Sequence, residues 1–575
     1  MKGARAICEA LKKEKVKHIF GLPGGAIMPF YDALLDYPEI THYLVRHEQG
    51  AAHAAEGYAR ASGKVGVCVA TSGPGATNLT TGLADAYMDS VPIIAMTGQV
   101  IRSLIGNDAF QEADIFGITM PITKHNFKVM NPEELPKILK MAFTIATAGR
   151  PGPVAIDLPK DVQNAEIEFN YPETITIPGY QPKYEPHPIQ VKKAVEVLIS
   201  AERPVILAGG GVIISGAHKE IARLSEVLFA PVVYTLMAKG VMDDTHPLCL
   251  GPVGMHGRIG ANTALTLADV VLAVGCRFDD RVTGDIRYFA PHAKIIHVDI
   301  DAAEIGKNVK ADVPIQGDAK RALTAILAGL EKAKKKESEW SRRCRELKEA
   351  CNCNYGALEN VPLHPARVIK ELNQHVPKER TIFVTEVGQN QMWAMHFIEA
   401  GEPRHFISSG GLGTMGFGLP ASIGAKAARP DMHVIDIAGD GSVLMTNQEI
   451  ATSVHYGLPV LICILNNGWL GMVKQWQKLF MEKRYSHTKL HPLPDFVKLF
   501  QSYGGDGERV ERPSELKEAI KRGLKSDVIY ALDIVIDPEI DVLPMVPAGG
   551  RNDRMIPSPL CSKVEALSRK MLGIG

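Results

Sequence analysis

The residues best suited to chemistry in this sequence are a Gly-Asp-Gly-Ser run and an Asn pair. Gly439, Asp440, Gly441 and Ser442 are consecutive, and Asn467 follows the next apolar segment along the chain. A Mg²⁺ ion takes oxygen ligands in an octahedron, usually from one or two side chains together with phosphate oxygens and water. Asp440 and Asn467 are side chains of this kind, so the pair predicts a metal-bound diphosphate site.

The segments around these residues predict a βαβ unit. Residues 433–438 and 458–465 are apolar runs of strand length, and residues 446–455 between them have a helical pattern. Parallel strands in such a unit end at the same edge of the sheet, where α/β proteins bind ligands. A simpler alternative is a tight turn in which Asp440 caps a helix, and the Gly-Asp-Gly run alone favours that alternative. The Asn pair at the end of the next strand reverses the preference.

The composition is ordinary for a soluble globular protein. The chain has 575 residues, with 64 Lys plus Arg and 64 Asp plus Glu, so its formal net charge is zero. This balance does not favour a nucleic-acid partner. The longest apolar runs are too short to span a membrane, and the N-terminus lacks the continuous apolar core of a signal peptide. We therefore expect a cytoplasmic protein without membrane segments.

Strand and helix patterns alternate almost throughout, which predicts an α/β fold of three doubly wound parallel-sheet domains. Two segments interrupt the alternation. The proline-rich residues 171–188 predict an extended linker, and the charge-rich residues 332–359 predict a solvated connecting helix. We expect domains at residues 1–170, 188–335 and 360–540. Residues 541–575 then form a C-terminal tail that is either disordered or a lid.

A second cluster of candidate residues lies in the first domain. Glu48 opens a helix of small residues, where the simplest role of a carboxylate is to stabilise the helix dipole by about 0.3 to 1 kcal/mol. Loops at residues 21–25 and 71–78 also follow apparent strands and contain glycine. Three such loops at one sheet edge make helix-dipole stabilisation a less complete explanation of Glu48. They indicate a binding surface for a flat ligand.

Taken together, these motifs resemble those of thiamine-diphosphate enzymes. The resemblance rests on residues 24–25, 46–50, 72–75, 439–467 and 470–473. More narrowly, residues 106–112, 254–257, 277–281 and 475–476 resemble the catalytic subunits of acetohydroxyacid (acetolactate) synthases. The similarity is collinear from about residue 3 to about residue 550.

The resemblance implies a pyrimidine-binding first domain, a central FAD-binding domain and a pyrophosphate-binding third domain. Thiamine diphosphate would lie between the first domain of one subunit and the third domain of another, which implies a homodimer or homotetramer. The implied reaction decarboxylates pyruvate and joins the two-carbon unit to a second 2-ketoacid, pyruvate or 2-ketobutyrate, in isoleucine and valine biosynthesis. A separate regulatory small subunit is a further implied partner.

The resemblance also implies roles for individual residues. Glu48 would hydrogen-bond the aminopyrimidine ring and favour its imino tautomer, while Met415 would bend the cofactor. Asp440, Asn467 and the backbone carbonyl of Trp469 would bind Mg²⁺. The other thiamine diphosphate contacts implied are Pro74, Asn78, Gln389, Gly441 and Ser442.

Arg281 is implied to bind the carboxylate of the second ketoacid, because a planar guanidinium matches a carboxylate in a two-point contact. Trp476 would shape the pocket for its side chain, although core packing would be the simpler reading of that residue alone. The other residues implied at the catalytic channel are Gly25, Phe110, Gln111 and Lys160.

FAD would be largely structural, because the overall reaction is not a redox reaction. Single glycine clusters are weak signals, and only the resemblance joins the segments concerned. The residues implied to contact FAD are Arg150, Gly209, Gly210, Gly211, Thr235, Leu236, Met255, His256, Gly275, Arg277, Asp279, Asp299, Ile300, Glu304, Ile305 and Asp318.

Two alternatives stay open. A pyruvate oxidase shares the architecture and the cofactors, but its flavin accepts electrons; Arg281 and Trp476 favour carboligation instead. A non-catalytic member of the same scaffold is the other alternative, and Glu48 argues against it. Ile101 stands where many family members have proline, so the sequence does not predict inhibitor sensitivity.

Overall fold

The computed structural model describes residues 1–331, 333, 336–351 and 358–574. Within them the chain forms three six-stranded sheets whose strands are all parallel and are covered by helices. The predicted α/β class is therefore confirmed. No helix in these residues is both long and apolar enough to cross a membrane.

The first sheet has the strand order β2-β1-β3-β4-β6-β5. Its strands are β1 His18–Gly21, β2 Thr41–Leu44, β3 Gly66–Ala70, β4 Ile93–Gln99, β5 His125–Lys128 and β6 Val154–Pro159. Its helices are α1 Gly3–Lys13, α2 Met28–Leu34, α3 Glu48–Ser62, α4 Pro74–Asn78, α5 Thr80–Asp89, α6 Ile115–Thr119, α7 Leu135–Thr147 and α8 Lys160–Asn164. Residues 171–187 then contain no helix or strand, as their proline content predicts.

The middle sheet has a different order, β12-β11-β10-β7-β8-β9. Its strands are β7 Pro204–Ala208, β8 Val232–Tyr234, β9 Cys249–Pro252, β10 Val270–Val274, β11 Lys294–Asp299 and β12 Val313–Gln316. Its helices are α9 Pro188–Ser200, α10 Gly210–Ser215, α11 His218–Leu228, α12 Ile259–Leu267, α13 Asp280–Thr283 and α14 Ala319–Leu330. Counted within the domain, this is the order 3-2-1-4-5-6 of dinucleotide-binding folds.

The predicted connecting helix is only partly solvated. Helix α15, Glu339–Ala350, buries Trp340, Cys344 and Leu347 on one face, and the Trp340 indole donates to the carbonyl of Pro204 at 3.1 Å. The prediction was wrong for this face, because the regular spacing of three apolar residues outweighs the charge count of the segment. Residues 332, 334, 335 and 352–357 of the predicted helix lie outside the described residues.

The third sheet repeats the order of the first, β14-β13-β15-β16-β18-β17. Its strands are β13 Thr381–Thr385, β14 Phe406–Ser408, β15 His433–Gly439, β16 Leu461–Asn466, β17 Asp506–Val510 and β18 Tyr530–Val535. Its helices are α16 Pro365–His375, α17 Gln389–Phe397, α18 Gly418–Ala428, α19 Asp440–Val443, α20 Ile450–Tyr456, α21 Gly471–Phe480, α22 Phe496–Ser502 and α23 Pro513–Lys525. The helix predicted at 446–455 is thus shorter, and a 3-10 turn, Asn447–Glu449, precedes it.

The tail is ordered against the middle domain. Helix α24, Ser562–Leu572, packs on α12 and α15, where Val564 joins Ile259 and Leu347 in a small apolar cluster. The hydroxyl of Ser568 bonds that of Thr263 at 2.6 Å. Of the two states left open by the sequence, the structure shows neither a disordered tail nor a free lid.

The first and third domains share one apolar core, in which α3 lies against α18. Glycine permits a backbone contact at two reciprocal points. A Cβ atom on Gly57 would lie 1.9 Å from the carbonyl oxygen of Ala421, and one on Gly424 would lie 1.9 Å from that of Ala54. Both distances are impossible for real atoms, so larger residues would push the two domains apart.

We predict that Gly424→Ala destabilises the protein, although alanine is the better helix former by about 1 kcal/mol. Overpacking at a backbone contact costs about 1 to 3 kcal/mol, so the melting temperature should fall. Gly152→Ala is the matched control, because a Cβ atom there meets nothing closer than 3.5 Å. Calorimetric melting of the three proteins checks this, and a Gly424→Ala protein as stable as the control would contradict the backbone contact.

Candidate active site

The Gly-Asp-Gly-Ser run and the Asn pair meet at one edge of the third sheet. Strands β15 and β16 are paired neighbours, with Gly439 opposite Leu465, so the residues that follow them converge. One Asp440 oxygen accepts the N–H of Gly441 at 2.9 Å and the other accepts the N–H of Gly468 at 2.6 Å. Gly468 adopts a left-handed backbone with φ +71°, which glycine permits. This turn brings the two side chains predicted to bind Mg²⁺ into one place.

The Asp440 carboxyl is a suitable partner for a cation. It is 2 % exposed, and burial raises its pKa to about 7. Among the described residues it has no ion-pair partner, and only backbone N–H groups lower its pKa against the effect of burial. Burying a carboxylate without a counter-charge is costly. A divalent cation here would relieve that cost, so the donor set fits Mg²⁺.

Asn467 and Trp469 complete the turn. The Asn467 side-chain oxygen accepts the N–H of Trp469 at 2.9 Å, and its amide nitrogen donates to Gln389 at 3.2 Å. The Ser442 hydroxyl lies at 3.3 Å from the carbonyl of Gly439. Gln389 begins α17 just after β13, so a third strand end contributes to the same edge.

The loop that carries Met415 also reaches this turn. A Cβ atom on Gly441 would lie 3.8 Å from the terminal methyl of Met415. Glu386 fixes this loop, because its carboxylate accepts the N–H groups of Gly416 at 2.8 Å and Leu419 at 3.1 Å. Burial raises the pKa of Glu386 to about 7. The apolar support predicted for the cofactor therefore lies beside the predicted diphosphate turn.

The candidates of the first domain collect at the carboxyl edge of the first sheet. Glu48 is 5 % exposed and accepts a hydrogen bond from Asn78 at 2.9 Å. A Cβ atom on Gly75, next to Pro74, would lie 3.1 Å from the Glu48 carboxylate. The loops after β2 and β3 thus meet at one buried carboxylate, and the loop after β1 touches the loop after β3 at Thr71.

Other first-domain candidates lie around this cluster. Gln111 packs its backbone on the loop after β3, since a Cβ atom on Gly73 would lie 2.6 Å from its carbonyl oxygen. Phe110 is 88 % exposed, and a Cβ atom on Gly25 would meet nothing within 4 Å. Lys160 opens α8 directly after β6 and is half-buried. These open positions face away from the core of their own chain.

A cavity of about 880 Å³ lies at the carboxyl ends of the strands of the middle domain, and residues of the first and third domains complete its lining. Fourteen of the sixteen residues predicted for FAD line it, and the exceptions are Gly209 and Ile305. Gly209 instead touches the opposite strand end, where a Cβ atom would lie 2.1 Å from the carbonyl of Gly275. Strands β7 and β10, which these two loops follow, flank the point where the strand order reverses, and dinucleotides bind at such points.

Several polar groups in this cavity are available to a ligand. The Nε2 atom of His256 is buried and has no hydrogen-bond partner among the described residues. Burial lowers the pKa of His256 to about 4, so its ring is neutral at pH 7. Burial also raises the pKa of Asp299 to about 6. A glycine cradle, an orphaned ring nitrogen and a long cavity fit a dinucleotide such as FAD.

Some of the predicted FAD residues also have structural partners. Asp279 accepts the N–H of Val282 at 3.0 Å and caps α13, while Asp318 caps α14 and bonds the Ser215 hydroxyl at 2.8 Å. Arg150 pairs with Glu304 at 2.8 Å.

Arg281 and Trp476 are in contact although 195 positions separate them in the chain, from 281 to 476. The guanidinium lies over the indole ring at 5.6 Å from its centroid, and both residues line the cavity of the middle domain. Within the described part of the chain, the indole Nε1 is buried without a hydrogen-bond partner. Arg281 pairs with the exposed Asp280 at 3.4 Å, but its own side chain is 53 % exposed, so the guanidinium is still accessible to a ligand carboxylate.

The structure of one chain does not unite all the candidates. Among the described residues, no hydrogen bond or ion pair joins the Glu48 cluster to the Asp440 and Asn467 turn. Neither group lines the cavity that holds Arg281.

Sequence reasoning missed three buried acids near these loops, two of which, Glu386 and Glu449, accept backbone N–H groups from them. They are Glu386, Asp436 and Glu449, each 1 % exposed or less. Asp436 stands inside an apolar strand and Glu386 directly follows one, so both were visible as polar interruptions of apolar runs. Glu449 carried no such signal, because its partners, the N–H groups of Arg46 and His47, are about 400 positions away.

Comparison with known proteins identifies the family. Residues 1–118, 191–326 and 386–534 match the N-terminal TPP-binding, central and C-terminal TPP-binding domains of thiamine pyrophosphate enzymes. A probable acetolactate synthase large subunit of Methanocaldococcus jannaschii is 57 % identical over 96 % of this chain and 94 % of its own length. One from Methanococcus aeolicus is 51 % identical over 97 % and 95 %.

The acetolactate synthase large subunit of Corynebacterium glutamicum is 49 % identical over 96 % of this chain and 89 % of its own length. The resemblance based on the motifs is thereby confirmed. The chain belongs to the thiamine pyrophosphate enzyme family and is similar along nearly its whole length to acetolactate synthase large subunits.

Proposed function

We propose that this protein is an acetolactate synthase, which decarboxylates pyruvate and joins the two-carbon unit to a second 2-ketoacid, pyruvate or 2-ketobutyrate. The contact of Arg281 with Trp476 beside the cavity is the observation that carries the proposal, since it offers a carboxylate-binding cation next to an apolar wall. The names of its relatives support the same activity. Its product would enter isoleucine and valine biosynthesis.

Thiamine diphosphate, when bound, supplies the carbon nucleophile that attacks the ketoacid. Asp440, Asn467 and the Trp469 carbonyl would hold Mg²⁺, and Ser442, Gly441 and Gln389 would contact the diphosphate. Met415 would support the bend of the cofactor. The chain thus provides orientation and charge, and the cofactor provides the chemistry.

Glu48 has a separate task at the other end of the cofactor. Its carboxyl group would form a hydrogen bond with the aminopyrimidine ring. Asn78 donates a hydrogen bond to Glu48 and fixes its orientation, and Pro74 lies in the same loop as Asn78. A correctly placed base beside a carbon acid makes proton removal effectively intramolecular.

We further propose that two subunits form each site. Glu48 and Asp440 have no direct contact within the described residues, and apolar side chains near both edges are exposed. In the first domain these are Met28 at 56 %, Phe110 at 88 % and Met120 at 57 %, and in the third Met445 at 53 % and Met481 at 60 %. A second copy would cover both groups, giving a homodimer or, from two dimers, a homotetramer. The term large subunit in the names of the relatives supports a separate regulatory small subunit.

FAD is proposed for the middle cavity, with the residues given above. Its role would be structural, because carboligation transfers no electrons to an acceptor. A pyruvate oxidase would use the same cofactors differently, and the relatives do not favour it.

The first prediction concerns the reaction. Purified protein with thiamine diphosphate, Mg²⁺ and FAD should convert pyruvate to acetolactate and carbon dioxide without an electron acceptor. Carbon dioxide is measured as released gas, acetolactate by colorimetry, and the use of an electron acceptor by oxygen uptake. Carbon dioxide with oxygen consumption would favour the oxidase, and no reaction would favour the non-catalytic alternative.

The second prediction concerns Glu48. Glu48→Gln should still bind thiamine diphosphate, because the diphosphate end is unchanged, but it should slow deuterium exchange at the thiazolium C2 by roughly 10²- to 10⁴-fold, as loss of acid-base assistance does. Quenched-flow NMR measures the exchange. Glu133→Gln is the control on an exposed turn of the same domain. An unchanged exchange rate would remove Glu48 from the mechanism.

The third prediction uses the raised pKa of Asp440. With a pKa of about 7, the carboxyl is largely protonated at pH 6 and must lose its proton to bind a cation. The rise in melting temperature caused by Mg²⁺ and thiamine diphosphate should therefore be larger at pH 8 than at pH 6. Asp440→Ala should abolish that rise, while Asp527→Ala, at an exposed position, should keep it. A shift independent of pH, or one retained in Asp440→Ala, would contradict the metal assignment.

A further inference from the structure

A buried glutamine occupies the centre of a hydrogen-bonded network between the diphosphate turn and the C-terminal tail. Gln475 lies on α21 and is 1 % exposed. Its oxygen accepts the side-chain N–H of Gln389 at 2.9 Å and the backbone N–H of Val542 at 2.8 Å. Its nitrogen donates to the carbonyl of Val542 at 3.0 Å and to the sulfur of Met545 at 3.4 Å. All four hydrogen-bonding positions of the amide are therefore used.

On one side this network reaches the candidate metal ligands. Gln389 connects Gln475 to Asn467, whose amide donates to the Gln389 oxygen at 3.2 Å. The Gln389 side chain can make both bonds only in one orientation, because its oxygen faces Asn467 and its nitrogen faces Gln475. The position of α21 is thus tied to the turn that contains Asp440.

On the other side it reaches Arg281 through the tail. The N–H of Val546 donates to the carbonyl of Met255 at 2.7 Å, and the N–H of Met255 donates to the carbonyl of Arg281 at 2.7 Å. The Met255 sulfur also lies 3.8 Å from the Arg281 guanidinium. Two further bonds fix the tail to the same segment, from Asp285 to Gly550 at 2.8 Å and from Asn552 to Val282 at 2.9 Å.

These contacts form a closed ring. It runs from Trp476 to its neighbour Gln475, through tail residues 542–546 to Met255 and Arg281, and returns across the 5.6 Å contact of the guanidinium with the indole. Val542, Met545 and Val546 are each 1 % exposed or less, so the tail part of the ring is dry. Hydrogen bonds in such surroundings hold geometry more strictly than exposed ones.

We propose that Gln475 is a positioning residue that sets the distance between Arg281 and Trp476, and thereby the choice of the second ketoacid. This rests on the proposed function, in which that pair receives the second substrate. Gln475 touches neither substrate nor cofactor in this scheme. It acts by fixing α21 to the tail, and the tail to the segment that carries Arg281.

The test compares three variants of the full-length protein with thiamine diphosphate, Mg²⁺ and FAD. Gln475→Leu keeps the volume and removes all four bonds, while Gln475→Glu keeps the two acceptor contacts and loses the two donors. Gln477→Leu is the control on the same helix, since in the described part of the chain the Gln477 amide bonds only Ser486 and Thr488. Given equal pyruvate and 2-ketobutyrate, the ratio of the two acetohydroxyacid products is measured.

We expect Gln475→Leu to change the product ratio by roughly three- to tenfold, as the loss of one or more buried hydrogen bonds does. Gln475→Glu should also change the ratio, because it places a carboxylate oxygen against the Val542 carbonyl, and Gln477→Leu should leave the ratio unchanged. The rate of carbon dioxide release from pyruvate alone should change less than the product ratio. Equal falls in all rates with an unchanged ratio would overturn the positioning role.

Hydrogen exchange followed by mass spectrometry gives a second readout that does not depend on catalysis. In Gln475→Leu, peptides covering 540–552 and 253–258 should exchange faster than in the wild type, whereas those of α3 should not. Unchanged exchange in both peptides would refute the ring. If the wild type forms no acetolactate but Gln475→Leu still exchanges faster than it in these two peptides, the proposed function is refuted and the ring stands.

Discussion

The backbone contact between α3 and α18 is the constraint on which the arrangement of the candidate site depends. Each helix follows the second strand of its sheet, and each begins at a loop that carries a candidate cofactor residue, Glu48 or Met415. Gly57 and Gly424 let the two helices approach until their backbones touch. A fixed distance between the helices is also a fixed distance between the two loops.

Buried acids strengthen this arrangement across the domain boundary. Glu449 of the third domain accepts the N–H groups of Arg46 and His47, both at 3.0 Å, just before Glu48. In the opposite direction, Asp89 of the first domain accepts the N–H groups of Gly410 at 2.9 Å and Gly411 at 2.7 Å, on the way to Met415. Each domain therefore orders the loop of the other. Burying these carboxylates is costly, and the charge-assisted bonds to backbone N–H groups offset that cost.

Asp440 differs from these acids. Burial raises the pKa of Asp440 and that of Glu449 to about 7. Glu449, however, also accepts a hydrogen bond from the Thr452 hydroxyl and faces the charge of Arg46. Asp440 has backbone partners alone. The structural acid Glu449 is thus satisfied within the fold, whereas the acid at the candidate metal site is left in need of a cation.

The middle sheet differs from the other two in strand order, and this difference sets where its cavity lies. Its order, 3-2-1-4-5-6, places glycine loops on both sides of the reversal point and leaves a long cavity there, whereas the first and third sheets share the order 2-1-3-4-6-5 and pack on each other. The tail crosses from the third domain to the middle one and joins the cavity to α21. A small number of mostly buried contacts thereby fixes the cavity, the tail and α21 relative to one another.

Much of this protein was determined by its sequence alone. The alternation of apolar runs and helical patterns predicted the α/β class, and the position of Asp440, Asn467, Glu48 and the glycine loops directly after strands placed them at sheet edges, because parallel strands end together. Those predictions rest on local periodicity, which the neighbouring residues carry. The motifs were also specific enough to indicate the enzyme family.

Only the tertiary structure decided which distant segments meet. Four of the contacts described above join residues far apart in the chain. They are Gly57 with Ala421, Glu449 with Arg46 and His47, Arg281 with Trp476, and the hydrogen bonds of Gln475 with the tail. One helix face was also misjudged: the apolar residues of α15 are regularly spaced in the sequence, but the surface that covers them comes from distant segments. Such contacts depend on the shape of two surfaces together, and a linear sequence displays each surface without its partner.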